Sequence, residues 1–143
     1  MKRLAIGFVV FCLTHTSASL GAASPPTGRW ITESGNLEVV VAPCGAELCG
    51  TVARVLASHS MSNPGVDMGD RPGIGLTILK DFTPSGDDAW EGQIYNRENG
   101  KTYSCVMRLR DADRLEIRPY IGIRLIGKTQ IWRRVPEPAV PAS

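Results

Sequence analysis

Short β-type runs separated by Gly, Pro, Asn and Asp make up most of this sequence and favour an all-β fold. After the N-terminal segment, apolar residues do not recur at the spacing of a helix. The expected strands are Gly28–Glu33, Leu37–Cys44, Leu48–Leu56, Ile74–Phe82, Trp90–Tyr95, Thr102–Arg110, Leu115–Tyr120, Ile121–Leu125 and Thr129–Val135. Most neighbouring strands are joined by tight turns, which is typical of an antiparallel meander.

A meander of about eight strands predicts a small up-and-down β-barrel. Closing the sheet removes its exposed edges, and eight strands enclose room for packed side chains or one small ligand. A small antiparallel β-sandwich is the alternative. Alternation within one run supports a wall with a buried and a wet face, because Tyr103, Cys105, Met107 and Leu109 share one side.

The N-terminal 23 residues have the organisation of a cleavable signal peptide. Lys2 and Arg3 precede the apolar run Leu4–Leu13, and small residues lead to an expected cleavage site after Ala23. That run is shorter than the roughly 20 residues that span a bilayer, so we expect no transmembrane anchor in the mature chain. The expected organisation is a signal peptide at 1–23, a barrel domain at 24–135 and a disordered, proline-rich tail at 136–143, exported to the periplasm of a Gram-negative bacterium.

Cleavage of the signal peptide would change the charge of the chain. The full sequence has 16 Lys and Arg against 14 Asp and Glu, a net charge of +2. Lys2 and Arg3 would leave with the signal peptide, so 14 cations would face 14 anions in the mature chain. A neutral domain lacks the basic surface of nucleic-acid-binding proteins, and we expect no nucleic-acid partner.

Several short motifs together resemble an uncharacterised family of small exported bacterial proteins, a domain of unknown function with a lipocalin-like barrel. They are Gly28-x-Trp30, Cys44-Gly45-x-x-Leu48-Cys49-Gly50, Asn63-Pro64, Arg71-Pro72 followed by Gly75, Ile94-Tyr95, Gly100-Lys101-Thr102-Tyr103 and Gly127-x-Thr129-Gln130-x-Trp132-x-Arg134. The resemblance extends from about Gly28 to Val135 and implies the fold and an envelope location. The family usually continues Ile-Tyr with Asp-Pro, whereas this chain has Asn96-Arg97, so any role of that acidic group would be lost.

The Gly28-x-Trp30 motif also resembles the lipocalin signature. That resemblance implies that Trp30 closes one end of the barrel and that an arginine of the last strand, Arg133 or Arg134, lies across its ring. Such a cation–π contact contributes about 0.5–2 kcal/mol. We assign Gly28, Trp30, Trp132 and Arg134 to this closure, as a structural plug.

Three cysteines would remain after cleavage. Cys44 and Cys49 flank a tight hairpin and are candidates for a disulfide, which can persist in an exported protein; a pair of reduced thiols is the alternative. Cys105 is expected to be a buried apolar residue. The spacing of Cys44 and Cys49 is not the redox-active Cys-x-x-Cys, and no histidine is near them, so we expect neither metal nor cofactor.

Ligand binding is a better expectation than catalysis. The mature chain has one histidine, His59, and lacks a Gly-x-Ser-x-Gly nucleophile elbow, so we do not expect an enzyme. The long loop Ser58–Pro72 is expected to cover one mouth of the barrel, where Arg71 would face an anionic group; pairing of Arg71 with a nearby Asp is the alternative. The candidate cavity residues are aromatic, although such residues are often core: Trp90, Tyr95, Tyr103 and Tyr120.

These observations predict a periplasmic protein that binds a small apolar or amphipathic ligand inside the barrel. The alternative is a non-catalytic envelope protein that binds a protein or cell-wall partner through its surface. An enzyme acting on an envelope substrate is the third hypothesis. An enclosed apolar cavity of about 300 Å³ or more would distinguish the first from the second.

Overall fold

The computed structural model of the protein describes residues 25–60, 65, 67–69, 73–86 and 88–137. The predicted signal peptide, and residues 138–143 of the predicted tail, lie outside these residues. Within the described ranges, no helix is long and apolar enough to cross a membrane.

Eight antiparallel strands form a closed barrel, each paired with its neighbour in the sequence. They are β1 (Gly28–Ile31), β2 (Leu37–Cys44), β3 (Glu47–Val55), β4 (Thr77–Pro84), β5 (Ala89–Asn96), β6 (Lys101–Asp111), β7 (Arg114–Tyr120) and β8 (Gln130–Arg134). Strand β8 closes the barrel on β1 through the pairs Trp30–Arg134 and Ile31–Arg133. The predicted all-β up-and-down barrel is confirmed, and the β-sandwich alternative is excluded.

One predicted strand is wrong. Ile121–Leu125 does not pair with a neighbour but forms part of the connection between β7 and β8. Local hydrogen bonds replace a strand ladder there, from Ile121 N to Ile126 O (2.9 Å) and from Ile126 N to Ile123 O (3.0 Å). Its isoleucines alternate as in a strand, but their side chains are exposed and do not pack on the core. The barrel therefore has eight strands where nine segments were marked.

The core fills the middle and one end of the barrel. Its largest fully buried side chains are Trp30, Trp132 and Phe82. On β6, Cys105 and Met107 are fully buried while Tyr103 and Leu109 pack at the margin of the core, as the alternation predicted. Close packing of this kind leaves little room for ligand in the deep part of the barrel.

Two acidic side chains of the barrel wall are less exposed to solvent than the alternation of apolar and polar residues indicated. Glu116 on β7 is only 6% exposed and pairs with Arg110. Glu38 is 1% exposed and lies between two arginines: Arg29 Nε donates to one carboxylate oxygen at 2.6 Å, and Arg54 Nη1 to the other at 3.1 Å. Long arginine side chains cover these carboxylates because their apolar stems lie along the wall while their charged ends reach solvent.

Gly92 lies where two strands approach each other closely. A Cβ atom at this position would lie 2.6 Å from the carbonyl oxygen of Lys80 and 2.7 Å from Cγ of Phe82. Because a backbone oxygen cannot swing aside as a flexible side chain does, we expect Gly92→Ala to lower the free energy of unfolding by about 1–3 kcal/mol. Urea denaturation measures this change. Gln93→Ala, at the exposed neighbouring position, is the control and should change stability little; equal effects in the two variants would contradict this account of Gly92.

Candidate functional site

The two ends of the barrel differ in their connections. One end, here called the mouth, carries the connections 32–36, 56–76, 97–100 and 121–129. The opposite end, the closed end, carries three short turns between strands and the two chain segments that enter and leave the domain. The longer connections at the mouth provide more surface for a binding site than the tight turns of the closed end.

An arginine and a tryptophan block the closed end. The guanidinium carbon of Arg134 lies 4.2 Å from the ring centroid of Trp30, which is completely buried. Arg134 Nη1 donates to the carbonyl oxygen of Thr27 at 3.0 Å and passes so close to Gly28 that a side chain there would collide with it. Arg133, the other arginine considered for this place, is exposed. Among the described residues, the closed end is therefore a packed structural element.

Trp132 lies in the core beside this plug. Its side chain is completely buried, and its indole Nε1 donates to Oε1 of Gln130 at 3.0 Å. Trp132 pairs with Leu115 across β7 and β8. The buried indole is thus packed on one side and hydrogen-bonded on the other, as a buried tryptophan usually is.

A disulfide joins Cys44 and Cys49 across the β2–β3 hairpin, with a Cα–Cα distance of 5.8 Å. It lies at the closed end, far along β2 and β3 from the mouth. Cys105 is a free, completely buried cysteine. Burial raises the pKa of its thiol to about 12, which keeps it protonated and unreactive at neutral pH.

Reduction of the disulfide should destabilise the barrel modestly. Cys44 and Cys49 are five residues apart, and closing so short a loop restricts the unfolded chain by only about 2 kcal/mol. We expect the Cys44→Ser/Cys49→Ser variant to lose about this much free energy of unfolding in urea denaturation. Dithiothreitol should lower the stability of the wild type to the same level and leave the variant unchanged. A response of the variant to dithiothreitol would contradict the assignment.

A cavity of about 290 Å³ opens at the mouth. Its floor is apolar and is made by residues at the mouth-side ends of the strands, among them Leu37, Ile78 and Ile94. Its rim is polar. The complete lining is Leu37, Ile78, Ile94, Tyr95, Asn96, Arg97, Glu98, Tyr103, Pro119, Tyr120, Ile121, Ile126, Gly127, Lys128 and Gln130.

The structure brings three of the predicted ligand-binding residues to this cavity: Tyr95, Tyr103 and Tyr120. Trp90 does not line it. That residue lies at the other end of β5, pairs with Met107 and Pro84, and packs half-buried against the core. Arg71 lies outside the described residues.

The aliphatic part of the cavity was missed from the sequence. Leu37, Ile78 and Ile94 resemble ordinary inward-facing strand residues, and they belong to the buried core at the level where it borders the cavity. A signal was present, because each lies within two residues of the mouth-side end of its strand. Residues 121–125 gave no such signal, since they were interpreted as a strand.

Hydrogen bonds join the β1–β2 turn to the long connection between β3 and β4. Asn36 Nδ2 donates to the carbonyl oxygen of His59 at 2.8 Å, and the His59 ring Nε2 lies 3.1 Å from the carbonyl oxygen of Ser34. Farther along, Met68 is 4% exposed and its backbone nitrogen donates to Ser58 O at 2.6 Å. His59 therefore contributes contacts between loops at the mouth. Among the described residues, no group of three or more His, Cys, Asp and Glu is arranged to hold a metal ion.

The β5–β6 turn contributes part of the cavity rim. Asn96 Oδ1 accepts a hydrogen bond from the Glu98 backbone nitrogen at 2.8 Å, so an Asn at this position supports the turn as an Asp would. Arg97 packs its guanidinium over Gly73 of the long connection, where a Cβ would lie 2.6 Å from Nη1. These contacts hold two mouth connections against each other beside the cavity.

A second group of contacts fixes the β7–β8 connection to the wall. Tyr120 Oη donates to Glu91 Oε1 at 2.7 Å, and Arg124 Nη2 donates to Glu91 Oε2 at 2.5 Å. The hydrogen bond from Tyr120 and then that from Arg124 lower the pKa of Glu91, while the bond to Glu91 raises the pKa of Tyr120. The hydroxyl of Tyr120 thus donates its hydrogen bond to Glu91 on the barrel wall, although Tyr120 also lines the cavity.

This arrangement predicts a pH-dependent contribution to stability. Because the folded pKa of Glu91 is lowered, its contribution is complete above the unfolded value of about 4.3 and is lost as the pH falls through the folded pKa. We expect Glu91→Gln to be less stable than wild type at pH 7, with the difference shrinking as the pH falls below about 4. Urea midpoints measured from pH 3 to pH 7 test this. Glu47→Gln, at the closed end, is the control; a constant difference between wild type and Glu91→Gln would contradict the prediction.

Comparisons with known proteins agree with the barrel. A family model described as "Uncharacterized protein conserved in bacteria (DUF2147)" matches residues 28–134. Among solved structures, the chain is similar to protein HP1028 from the human pathogen Helicobacter pylori, which is described as belonging to the lipocalin family. The two are 21% identical, the match covers 78% of this chain and 83% of that chain, and the TM-score is 0.62. At this identity the likeness shows a shared fold. The search among curated proteins gave no match.

Proposed function

The chain belongs to the bacterial family DUF2147, and from that premise we propose that it binds a small apolar or amphipathic molecule in the mouth cavity. The observation that carries the proposal is the cavity itself, about 290 Å³ with an apolar floor. This volume is just under the roughly 300 Å³ at which small-molecule sites begin, and the cavity is open at the mouth instead of enclosed. It is about twice the engineered cavity of roughly 150 Å³ that binds benzene.

The depth of the cavity limits the size of the ligand. Below Leu37 and Ile94 the interior is filled by the core, including Trp30 and Phe82, so a ligand enters only the upper part of the barrel. The ligand is therefore a short chain or a small ring system that lies near the mouth of the barrel.

The rim supports an amphipathic ligand with its polar end outward. Lys128, Asn96 and Gln130 line the opening and offer a cation and amide groups. An acidic or hydrogen-bond-accepting head group at the rim would meet these donors, while the apolar part replaces water on the floor.

The proposal includes export and a non-catalytic role. A positively charged start, an apolar run and small residues before Ser24 support secretion, and the Cys44–Cys49 disulfide is compatible with an oxidising compartment. Intact mass of protein purified from a periplasmic fraction tests this part. The expected mass is that of residues 24–143 less two hydrogen atoms, whereas the full-length mass would contradict export.

Titration with N-phenyl-1-naphthylamine, a neutral apolar fluorophore, tests binding. We expect saturable fluorescence enhancement at one site per chain and displacement of the probe by decanoate. Leu125→Ser is the matched control, because it removes an exposed apolar side chain that does not line the cavity. A wild type that gives no saturable enhancement, or enhancement that Leu125→Ser abolishes, would contradict binding in the cavity.

A further inference from the structure

The β7–β8 loop, residues 121–129, holds an unusual amount of apolar surface in water. Four of its side chains are large, apolar and exposed: Leu125 at 86%, Ile121 at 65%, Ile126 at 62% and Ile123 at 56%. Single exposed apolar residues are ordinary, but a contiguous group of them marks an interaction surface. No function described above uses Ile123 or Leu125, since neither lines the cavity.

Among the described residues, large exposed hydrophobic side chains are confined to the mouth. Besides the β7–β8 loop, the large hydrophobic residues exposed within the described ranges are Val55, Leu56 and Ile74, and these belong to the end of β3 and the connection that follows it. The described turns of the closed end contribute none. In the part of the chain that the structure describes, the exposed apolar surface therefore lies at the mouth end of the barrel.

The loop is held in place with these side chains outward. Lys128 N donates to Pro119 O at 3.1 Å, and Arg118 Nε donates to Arg124 O at 3.0 Å. The side chain of Arg124 is in turn bound to Glu91 on the barrel wall. A loop already ordered in this way loses little conformational entropy when a partner covers it.

The charge of the loop is entirely positive. Residues 121–130 include Arg124 and Lys128 and no acidic residue. Glu91 neutralises part of the charge of Arg124, so Lys128, exposed at the cavity rim, provides the larger share of the uncompensated charge. Apolar side chains flanked by cations match a surface that is apolar inside and anionic at its boundary.

From this combination we propose that the β7–β8 loop docks the protein on bilayers that contain anionic phospholipid. The apolar side chains would enter the boundary between head groups and acyl chains, with Lys128 and Arg124 at the phosphate level. A stable protein interface involves about 20–30 residues a side, many more than this one loop offers, whereas a bilayer needs only the inserted tip. Ile121 and Ile126 also line the cavity, so docking would turn the cavity opening towards the membrane. The docking proposal is independent of ligand binding.

Vesicle co-sedimentation of the purified full chain tests the proposal. We expect partitioning onto vesicles of phosphatidylglycerol and phosphatidylethanolamine, and much weaker partitioning onto pure phosphatidylcholine. Leu125→Ser should reduce the partition coefficient about tenfold or more, because the loss follows the apolar area removed. Lys128→Gln should reduce it about fivefold on anionic vesicles only. The matched controls are Leu125→Met, which keeps the apolar side chain, and Lys80→Gln, which removes an exposed cation from β4.

Three outcomes would overturn docking. One is the absence of sedimentation with anionic vesicles, and another is sedimentation that Leu125→Ser leaves unchanged. The third is a wild type that forms a dimer in multi-angle light scattering and becomes monomeric in Leu125→Ser, which would assign the loop to a second copy of the chain. Thermal unfolding of each variant checks its fold, and the N-phenyl-1-naphthylamine titration is read separately, so failure of docking and failure of ligand binding are distinguishable.

Discussion

Trp30→Ala should lower the free energy of unfolding by about 3–5 kcal/mol, the range for removing a fully buried large aromatic side chain. Trp30 has no exposed surface and lies under the guanidinium of Arg134. Its removal would leave a cavity at the closed end and deprive Arg134 of the ring across which it lies. The indole hydrogen bond to Pro26 O, 3.1 Å long, would also be lost.

Urea denaturation followed by circular dichroism measures this effect. Arg133→Met is the matched control: Arg133 adjoins Arg134 on β8 but is exposed, so its replacement should change stability by less than about 0.5 kcal/mol. Arg134→Met should fall between the two, because it removes the cation–π contact and the bond to Thr27 while the indole stays buried. A Trp30→Ala protein as stable as Arg133→Met would contradict the role of the plug.

Ile94→Trp should weaken binding of N-phenyl-1-naphthylamine at least about a hundredfold, which corresponds to about 2.7 kcal/mol. Ile94 lies on β5 at the floor of the cavity and is 7% exposed. An indole at this position would extend into the cavity and occupy the space of the ligand. Because Ile94 also belongs to the buried core, thermal unfolding of the variant is measured beside its affinity, and a loss of stability of up to about 1–3 kcal/mol is compatible with the prediction.

Two further variants make this prediction specific. Ile94→Val keeps the cavity open and should bind the probe within a few-fold of wild type. Ile78→Phe enters the same cavity from β4 and provides a second blocked variant if the indole disturbs the fold. Unchanged affinity in both Ile94→Trp and Ile78→Phe, with each variant folded, would place the probe somewhere other than the mouth cavity.

The barrel could be predicted from the sequence because its signals are local. Tight turns limit which strands can pair, and alternation sets which face is buried, as on β6. The segment Ile121–Leu125 was mispredicted because its isoleucines alternate as in a strand. Whether a partner strand lies beside this segment depends on the path of the whole chain. A propensity pattern cannot report such a partner.

The cavity could be predicted only in part. Tyr95, Tyr103 and Tyr120 were predicted because aromatic residues were chosen as the candidate cavity residues. The same criterion also selected Trp90, which packs on the core. Whether an inward-facing residue fills the core or lines an opening depends on its height in the barrel and on what the neighbouring strands place beside it. Leu37 and Trp30 alternate inward in the same way, yet the first lines the cavity and the second closes the opposite end.

Native mass spectrometry of wild type and Ile94→Trp, both purified from a periplasmic fraction, tests the central claim of a ligand in the mouth cavity most directly. We expect wild type to carry a small molecule in a one-to-one complex that dissociates on activation, and the folded Ile94→Trp protein to carry none. Wild type that shows only the mass of the mature chain, and gains no adduct when decanoate is added, would contradict ligand binding. The same adduct on both proteins would contradict its location in the cavity.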